Sequence, residues 1–223
     1  MLNSLTTISA TILGLIAFLC FCVAITHRKK HKELSHLFVY PLLSFLQTIL
    51  YFFFTHIHKS KTISSALTLT FSIHFFIIVE TICIFFFFYK IQLLSKKTKA
   101  FLLVLYSLLI VLYIFNLSTN NVLSSNANYM YYIQSLVILI PCFIYLYQLF
   151  LNPPILNLLE EPSFWFNSGL LIYFTSILPI YFMLNYFNKA PIPMVIDFIN
   201  INGYIIIFLF LIKGYKCRVK TTT

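Results

Sequence analysis

Residues 82–89 read Ile82-Cys-Ile-Phe-Phe-Phe-Phe-Tyr89, a run of apolar and aromatic side chains without a polar interruption. A later segment, Ile205-Ile-Ile-Phe-Leu-Phe-Leu-Ile212, repeats the pattern. Strands of membrane barrels alternate apolar and polar side chains, whereas these runs are continuous. They therefore predict membrane-spanning helices, in which the backbone hydrogen bonds are made within the segment.

The composition of the whole chain supports the same prediction. Its 223 residues are 61% hydrophobic and only 9% charged, with a mean hydropathy of +0.93. A soluble domain carries about 25% charged residues, so a soluble class is excluded. The net charge is +10, but the basic residues form short clusters beside apolar runs. That placement indicates membrane orientation and contact with anionic headgroups rather than nucleic-acid binding.

Seven segments approach or exceed the length of about 20 apolar residues that a helix needs to cross a bilayer. They are residues 5–26, 37–56, 63–89, 100–115, 129–151, 164–187 and 194–212. The connections between them are too short for a hydrophobic core of their own. We therefore expect an all-α integral membrane protein, a seven-transmembrane-helix bundle forming a single transmembrane domain over residues 1–223, without a soluble domain.

The lysines and arginines predict how this bundle is oriented. If the N-terminus is outside and the C-terminus inside, only three of the 15 basic residues lie outside. Those three are Lys59, Lys61 and Lys189. Because basic residues are retained on the cytoplasmic side, we expect this orientation, in a multi-pass protein of the bacterial inner (plasma) membrane.

Glu80 is the most informative single residue, because it lies inside the third apolar segment. A carboxylate at that depth is costly, so it should face protein or water and have a partner. At 100° per residue, Ser72 falls on the Glu80 face and His74 on the opposite face, which predicts a helix surrounded by other helices. Glu80 is a candidate ligand contact or protonation switch. The alternative is a structural hydrogen bond, which is also the usual role of a bundle histidine such as His74.

The seventh segment begins with Asp197, Asn200 and Tyr204 on one helix face. Asp197 lies near the predicted outer interface, where water can solvate it. Asn200 and Asn202 lie deeper and are expected to hydrogen-bond between helices. Asp197 and Asn200 are further ligand candidates, with helix packing as the alternative.

The sixth segment is introduced by Glu160-Glu161-Pro-Ser-Phe-Trp165. Proline and acidic residues favour the start of a helix, and a tryptophan suits the membrane interface. The same residues also form a candidate docking surface for a cytoplasmic partner, since acidic residues replace the basic ones expected there. Glu160, Glu161 and Trp165 are the docking candidates.

Catalytic and metal-binding patterns are weak in this sequence. His27 and His31 have the i, i+4 spacing of a metal pair, but three cations lie between them. The five cysteines do not form a metal-ligand pattern, and no paired catalytic carboxylates or glycine-rich phosphate loop can be found. We therefore expect no enzymatic activity, no metal and no cofactor.

Three stretches resemble a known group of proteins. They are Ile78-Val-Glu80 through Lys90, Tyr145-Leu-Tyr-Gln-Leu-Phe150, and Leu159-Glu-Glu-Pro-Ser-Phe-Trp165 through Phe174. Together with the closing segment from Tyr204 they resemble uncharacterised small multi-span membrane proteins of Bacteroidetes. Related segments look like the membrane-sensor part of some histidine kinases. The resemblance implies signal transduction, and because the chain has no kinase domain, it implies a separate signalling partner.

The favoured hypothesis is therefore a sensory or signal-transducing membrane module that acts through a cytoplasmic protein. Pro41, Pro141 and Pro179, each within an apolar segment, are candidate hinges. The alternatives are a small proton- or cation-coupled transporter or channel subunit, and a non-catalytic scaffold. The expected partners are the lipid bilayer, a cytoplasmic signalling protein and a second copy of the chain, and no nucleic acid.

Overall fold

The structure is a computed structural model, and it describes residues 2–31, 33–53, 63–91, 93–119, 127–153, 157–184 and 192–217. Within these ranges the chain is helical and contains no strand. The α-helices are α1 (Leu2–His27), α2 (Val39–Phe52), α3 (Ile63–Lys90), α4 (Lys96–Thr119), α5 (Ala127–Leu151), α6 (Pro162–Leu184) and α7 (Ile192–Lys216). A short 3-10 turn, Leu158–Glu160, precedes α6.

Each of the seven predicted segments coincides with one helix, so the all-α fold class is confirmed. Counting described residues alone, five helices are long and apolar enough to cross a membrane: α1, α4, α5, α6 and α7. The described part of α2 is apolar but has only 14 residues. The chain therefore has the character of a multi-pass membrane protein, while the count of seven spans and the orientation stay predictions.

The helices extend beyond the apolar runs by which they were predicted. The run from residue 100 to 115 becomes α4, which begins at Lys96 and ends at Thr119. Helical backbone geometry continues past the last apolar side chain, because lysine can keep its stem on an apolar surface and its ammonium group in water. Hydropathy therefore located the helices and underestimated the length of α4, whereas the described part of α2 is shorter than its predicted segment.

The described basic residues gather at one end of the bundle, where α1, α3 and α7 end and α2, α4 and α6 begin. We call it the basic end, and it carries Arg28, Lys29, Lys30, Lys90, Lys96, Lys97, Lys99, Lys213 and Lys216. Contacts across it join the elements: the Tyr215 hydroxyl donates to the Leu34 carbonyl at 2.6 Å, and Lys90 Nζ lies 3.5 Å from Ser35 Oγ. The opposite end is called the far end.

Helices α1, α6 and α7 form the most closely packed part of the bundle, and glycines allow their approach. A Cβ added at Gly203 of α7 would lie 2.1 Å from the Tyr173 ring of α6. One added at Gly214 would lie 2.8 Å from the Pro162 carbonyl oxygen. Small residues are a common device for close helix contact in membranes, and here they bring α6 and α7 together.

The prediction that α3 is surrounded by helices is wrong for one face. Phe76, Glu80 and Cys83 are buried along one stripe, as the helical periodicity predicted. Phe75 and Phe86, however, are exposed by about half of their surface. A lipid-facing side requires no polar group, so α3 buries its carboxylate and presents phenylalanines outward.

The three prolines differ in their effect on the backbone. Pro41 lies in the first turn of α2, which begins at Val39. The missing N–H of a first-turn proline has no intrahelical partner to lose, so Pro41 is not a hinge within a helix, and that prediction is wrong. Pro141 and Pro179 do lie inside α5 and α6, where each removes a backbone hydrogen bond.

Candidate functional site

Glu80 lies on the buried face of α3, and only 1% of its surface is exposed. Its carboxylate accepts three hydrogen bonds, each from a different helix. The Tyr40 hydroxyl of α2 donates at 2.6 Å, Gln134 Nε2 of α5 at 3.1 Å and the Tyr204 hydroxyl of α7 at 3.3 Å. We call these four residues the Glu80 network. The expectation that Glu80 has partners inside the protein is confirmed.

The amide of Gln134 connects two neighbouring residues of α3. Its Nε2 donates to the Glu80 carboxylate and also to Thr81 Oγ1, both at 3.1 Å. The Thr81 hydroxyl donates in turn to the Ile77 carbonyl at 2.8 Å. Since an amide NH₂ carries two hydrogens, both are used, and this part of the site is fully hydrogen-bonded.

Aromatic rings enclose the hydrogen bonds of the Glu80 network. Tyr40 packs against Phe76 and Phe208, with ring centroids 5.9 Å and 5.2 Å away. Phe76 meets the edge of Tyr204 at 5.7 Å. Hydrogen bonds in such an apolar surrounding are stronger than in water, and an unpaired polar group there is correspondingly costly. The site is therefore sensitive to any change in the charge or donors of its members.

A chain of polar side chains leads from this network toward the far end. The rings of Tyr204 and Tyr173 lie 5.0 Å apart. The Tyr173 hydroxyl donates to Asn200 Oδ1 at 3.0 Å, and Asn200 Nδ2 donates to the Tyr181 hydroxyl at 2.8 Å. Tyr181 stacks on Tyr131 with centroids 5.0 Å apart. This far-end chain links α5, α6 and α7.

The structure therefore connects Glu80 with Asn200, two of the predicted site residues. Asp197 is exposed, one turn before Asn200, and makes none of these hydrogen bonds. The prediction that Asn202 hydrogen-bonds to another helix is wrong, because its amide donates to the Phe198 carbonyl within α7. The side chains of Ser72 and His74 lie outside the described residues.

Toward the basic end the Glu80 network is followed by apolar and aromatic packing. The next turns of α3 carry Ile84, Phe87 and Phe88, each with no exposed surface. Phe87 meets the edge of Phe166 on α6 at 4.7 Å. This layer of rings follows Glu80 along α3 toward the basic end, while Tyr40 reaches Glu80 from the first turn of α2.

The predicted docking residues lie around the 3-10 turn at the basic end. The Trp165 indole N–H donates to the Leu159 carbonyl at 2.8 Å, and Lys213 Nζ lies 5.5 Å from the centre of its ring. Glu160 accepts from Asn157 Nδ2 at 3.2 Å. Leu159 is 56% exposed. The turn and the start of α6 thus place Glu160, Leu159 and Trp165 close together.

Glu161 is half-buried, as Glu160 is, but it differs from Glu160 because it lies close to a second carboxylate. The Ser163 hydroxyl donates to Glu33, which lies between α1 and α2, and Ser163 also hydrogen-bonds Glu161. Burial raises the pKa of the Glu161 carboxyl and the Glu33 charge raises it further, while the bonds from Ser163 act in the opposite direction. The two acids are therefore an electrostatically unfavourable pair.

Sequence reasoning missed three members of the site, Tyr40, Gln134 and Tyr173. Gln134 carried a usable signal, because a glutamine inside an apolar helix normally has a polar partner. Tyr40 and Tyr173 carried none, since the chain contains 15 tyrosines and only the packing selects these two.

In the described part of the chain, no group of three or more His, Cys, Asp or Glu residues converges. The chain matches no protein-family model, no curated protein and no solved structure. The resemblance to the membrane-sensor part of histidine kinases therefore stays a prediction, and the argument about function rests on the geometry of the residues.

Proposed function

We propose that this protein is a membrane-embedded sensory module that transmits a signal to a separate cytoplasmic partner. The observation that carries the proposal is the Glu80 network, in which one carboxylate accepts hydrogen bonds from three other helices. A stimulus that changes the hydrogen bonding of this one group acts on α2, α5 and α7 together.

The chemistry of a carboxylate makes it a suitable switch. When ionised it only accepts hydrogen bonds, and it can satisfy Tyr40, Gln134 and Tyr204 at once. When protonated it must itself donate one bond, so at least one of these donors has to turn away. Two packings of the surrounding helices can follow from that change, which is the two-state element that a sensor requires.

The different surroundings of Glu80 along the two directions of the bundle support sensing rather than conduction. Tyr173, Asn200 and Tyr181 lead toward the far end, whereas Phe87 and Phe88 fill the space toward the basic end. A transporter must open a path on each side in turn. A sensor needs access on one side and a mechanical connection on the other, which packed phenylalanine rings supply.

The output surface in this proposal is the 3-10 turn with Glu160, Glu161 and Trp165. It lies at the basic end, which the positive-inside rule assigns to the cytoplasm. Trp165 belongs to α6, and α6 packs against α7 through Gly203 and Tyr173. A shift of α7 at Tyr204 therefore displaces the helix that begins at this turn.

Hydrogen–deuterium exchange of the full chain in nanodiscs tests the coupling between the two regions. Glu80→Gln should change the exchange of residues 157–165, which lie at the other end of α6. Asp197→Asn is the matched control, because it also neutralises a carboxylate but lies outside the Glu80 network, and it should leave this exchange unchanged. Unaltered exchange at the turn in Glu80→Gln contradicts the sensory proposal.

The runner-up is a small proton- or cation-coupled transporter, which the polar far-end chain favours. Proteoliposomes separate the two. A proton or cation flux that disappears in Glu80→Gln but persists in Asp197→Asn overturns the sensory proposal in favour of transport. Wild-type exchange and the absence of flux in all variants would leave a non-catalytic scaffold.

A further inference from the structure

The acidic pair at the basic end lies apart from the Glu80 network and has its own geometry. Glu33 precedes α2 and Glu161 immediately precedes α6. The Ser163 hydroxyl donates to Glu33, and Ser163 also hydrogen-bonds Glu161. Two half-buried carboxylates from distant parts of the chain thus share one small residue.

Neither carboxylate of this pair forms an ion pair with a lysine, arginine or histidine of the described chain. Lys213 of α7 lies over the Trp165 ring. Two like charges withdrawn from water without a counterion are unfavourable. A bound cation or a shared proton relieves that repulsion.

Unpartnered oxygens beside the pair favour a bound cation. Tyr145 of α5 is 1% exposed, its hydroxyl has no hydrogen-bond partner among the described residues, and it lies within electrostatic reach of both Glu161 and Glu33. Asn167, one helical turn after Ser163, is fully buried, and its Oδ1 is unpartnered. A buried polar atom without a partner is costly, and here two of them lie at the α5–α6 contact next to the acids.

We propose that Glu33, Glu161, Ser163 and Tyr145 bind a hard divalent cation, Mg²⁺ or Ca²⁺. The donor set consists of oxygens alone, which suits these ions rather than zinc or copper. Two carboxylates supply two negative charges, which balance a divalent ion. Asn167 Oδ1 lies deeper and is an additional oxygen, directly or through a water molecule.

The site goes beyond the proposed sensory function and does not depend on it. It also departs from the sequence-based expectation of no metal, which considered histidine and cysteine patterns. A cation held there would tie the segment between α1 and α2 to α5 and to the start of α6. It would thereby stiffen the basic end, where the turn with Glu160 begins.

Calorimetric titration of the purified full chain with CaCl₂ and with MgCl₂, at constant ionic strength, tests the site. We expect one site per chain, with a dissociation constant of about 0.1–1 mM for the preferred ion, the range of weak extracellular-type calcium sites. Glu33→Gln and Glu161→Gln should each weaken binding by about tenfold or more, since each removes a charged ligand. Tyr145→Phe should weaken it severalfold.

Glu160→Gln is the matched control, because Glu160 is adjacent in sequence and bonds Asn157 rather than the pair; its affinity should equal that of wild type. Absence of saturable binding up to about 10 mM, ten times the weakest expected constant, overturns the proposal. An equal loss in Glu160→Gln also overturns it, because it indicates surface adsorption. If the glutamine variants do not fold, Tyr145→Phe and Ser163→Ala decide: wild-type affinity in both refutes the site.

Discussion

Glu80 and Glu161 are both carboxylates withdrawn from water, and the groups around them differ. Glu80 is fully buried and accepts hydrogen bonds from Tyr40, Gln134 and Tyr204. Glu161 is half-buried and shares Ser163 with a second acid, Glu33. One carboxylate has donors from three other helices, while the other has a like charge and a single small donor.

This difference teaches that burial alone does not indicate the role of an acid in a membrane bundle. Where donors surround it, a carboxylate joins helices and its removal leaves those donors unpaired. Where a second acid lies beside it, it contributes an unfavourable charge unless a proton or cation is bound. The two sites should therefore respond in opposite ways when their acids are neutralised.

The largest expected effect is at the Glu80 network. Glu80→Ala leaves three buried donors without an acceptor, at about 1–3 kcal/mol for each, so we expect a loss of at least about 3 kcal/mol in the free energy of unfolding. Glu80→Gln keeps the volume and one acceptor oxygen, and the loss should be smaller, about 1–3 kcal/mol. Reversible unfolding in bicelles or detergent measures both.

The control for this prediction is Asp197→Asn, an exposed acid on α7. A substitution at such a surface position should change the unfolding free energy by no more than about 0.5 kcal/mol. A Glu80→Ala variant as stable as Asp197→Asn would refute the view that Glu80 joins the helices.

The second effect concerns the contact that aligns the far-end chain. Gly203→Ala places a methyl group against the Tyr173 ring, 2.1 Å from its nearest carbon. Because backbone or ring must move, we expect a loss of about 1–3 kcal/mol and a weaker bond between Tyr173 and Asn200. Thermal unfolding and the near-ultraviolet dichroism of the tyrosines report these two changes.

Gly14→Ala is the matched small-residue control on α1. Its added methyl group would lie 3.1 Å from the Thr48 side chain, which can shift by a few tenths of an ångström. Alanine also has a higher helix propensity than glycine, by up to about 1 kcal/mol, so this variant should be neutral or slightly more stable. Equal damage at both glycines would argue against a special contact at Gly203.

A smaller effect on the free energy of unfolding, which depends on pH, is expected at the acidic pair of Glu33 and Glu161. Because burial and Glu33 raise the pKa of Glu161 above the ordinary value of 4.5, the folded state holds its proton more tightly than the unfolded state. The contribution of Glu161 to the free energy of unfolding therefore falls as pH rises above about 4.5. In the absence of divalent cations, Glu161→Gln should flatten this fall and be more stable than wild type at neutral pH.

The His36 imidazole should affect the pH dependence of stability in the opposite direction. Burial, together with the charge of Lys90, lowers the pKa of His36 to about 4, although the bond to the Cys83 carbonyl acts in the opposite direction. The unfolded state then binds more protons, so stability is lost as pH falls from about 6.5 toward 4. His36→Gln should reduce that acid loss. If the two variants change the pH profile in the same direction, the assigned environments are incorrect.

The smallest expected effect is at the exposed side of the 3-10 turn. Lys213→Met removes a cation from the Trp165 ring at an exposed site, where such a contact contributes about 0.5–1 kcal/mol. Glu160→Gln should change stability by less than about 0.5 kcal/mol. Melting temperatures within about 4 °C of wild type would show that these two side chains contribute little to the stability of the fold.

Part of the candidate site could be predicted before the structure was known. A lone carboxylate in an apolar helix requires a partner, and Glu80 has three. The i, i+3, i+7 pattern placed Asn200 and Tyr204 on one face, and both take part in the polar contacts. The pattern could not exclude Asp197 from the site. Helical periodicity shows on which face of the helix a side chain lies, but it does not show how far along the helix the neighbouring helices cover that face.

The amino-acid sequence by itself determined that this chain is helical and apolar, and where each helix lies. That information is local, since a continuous apolar run must satisfy its backbone groups within itself in lipid. Only the tertiary structure decided which donors meet Glu80, because Tyr40, Gln134 and Tyr204 lie on three other helices. It also paired Glu33 with Glu161. Such contacts depend on how helices cross and rotate, and that is set by the packing of the whole bundle.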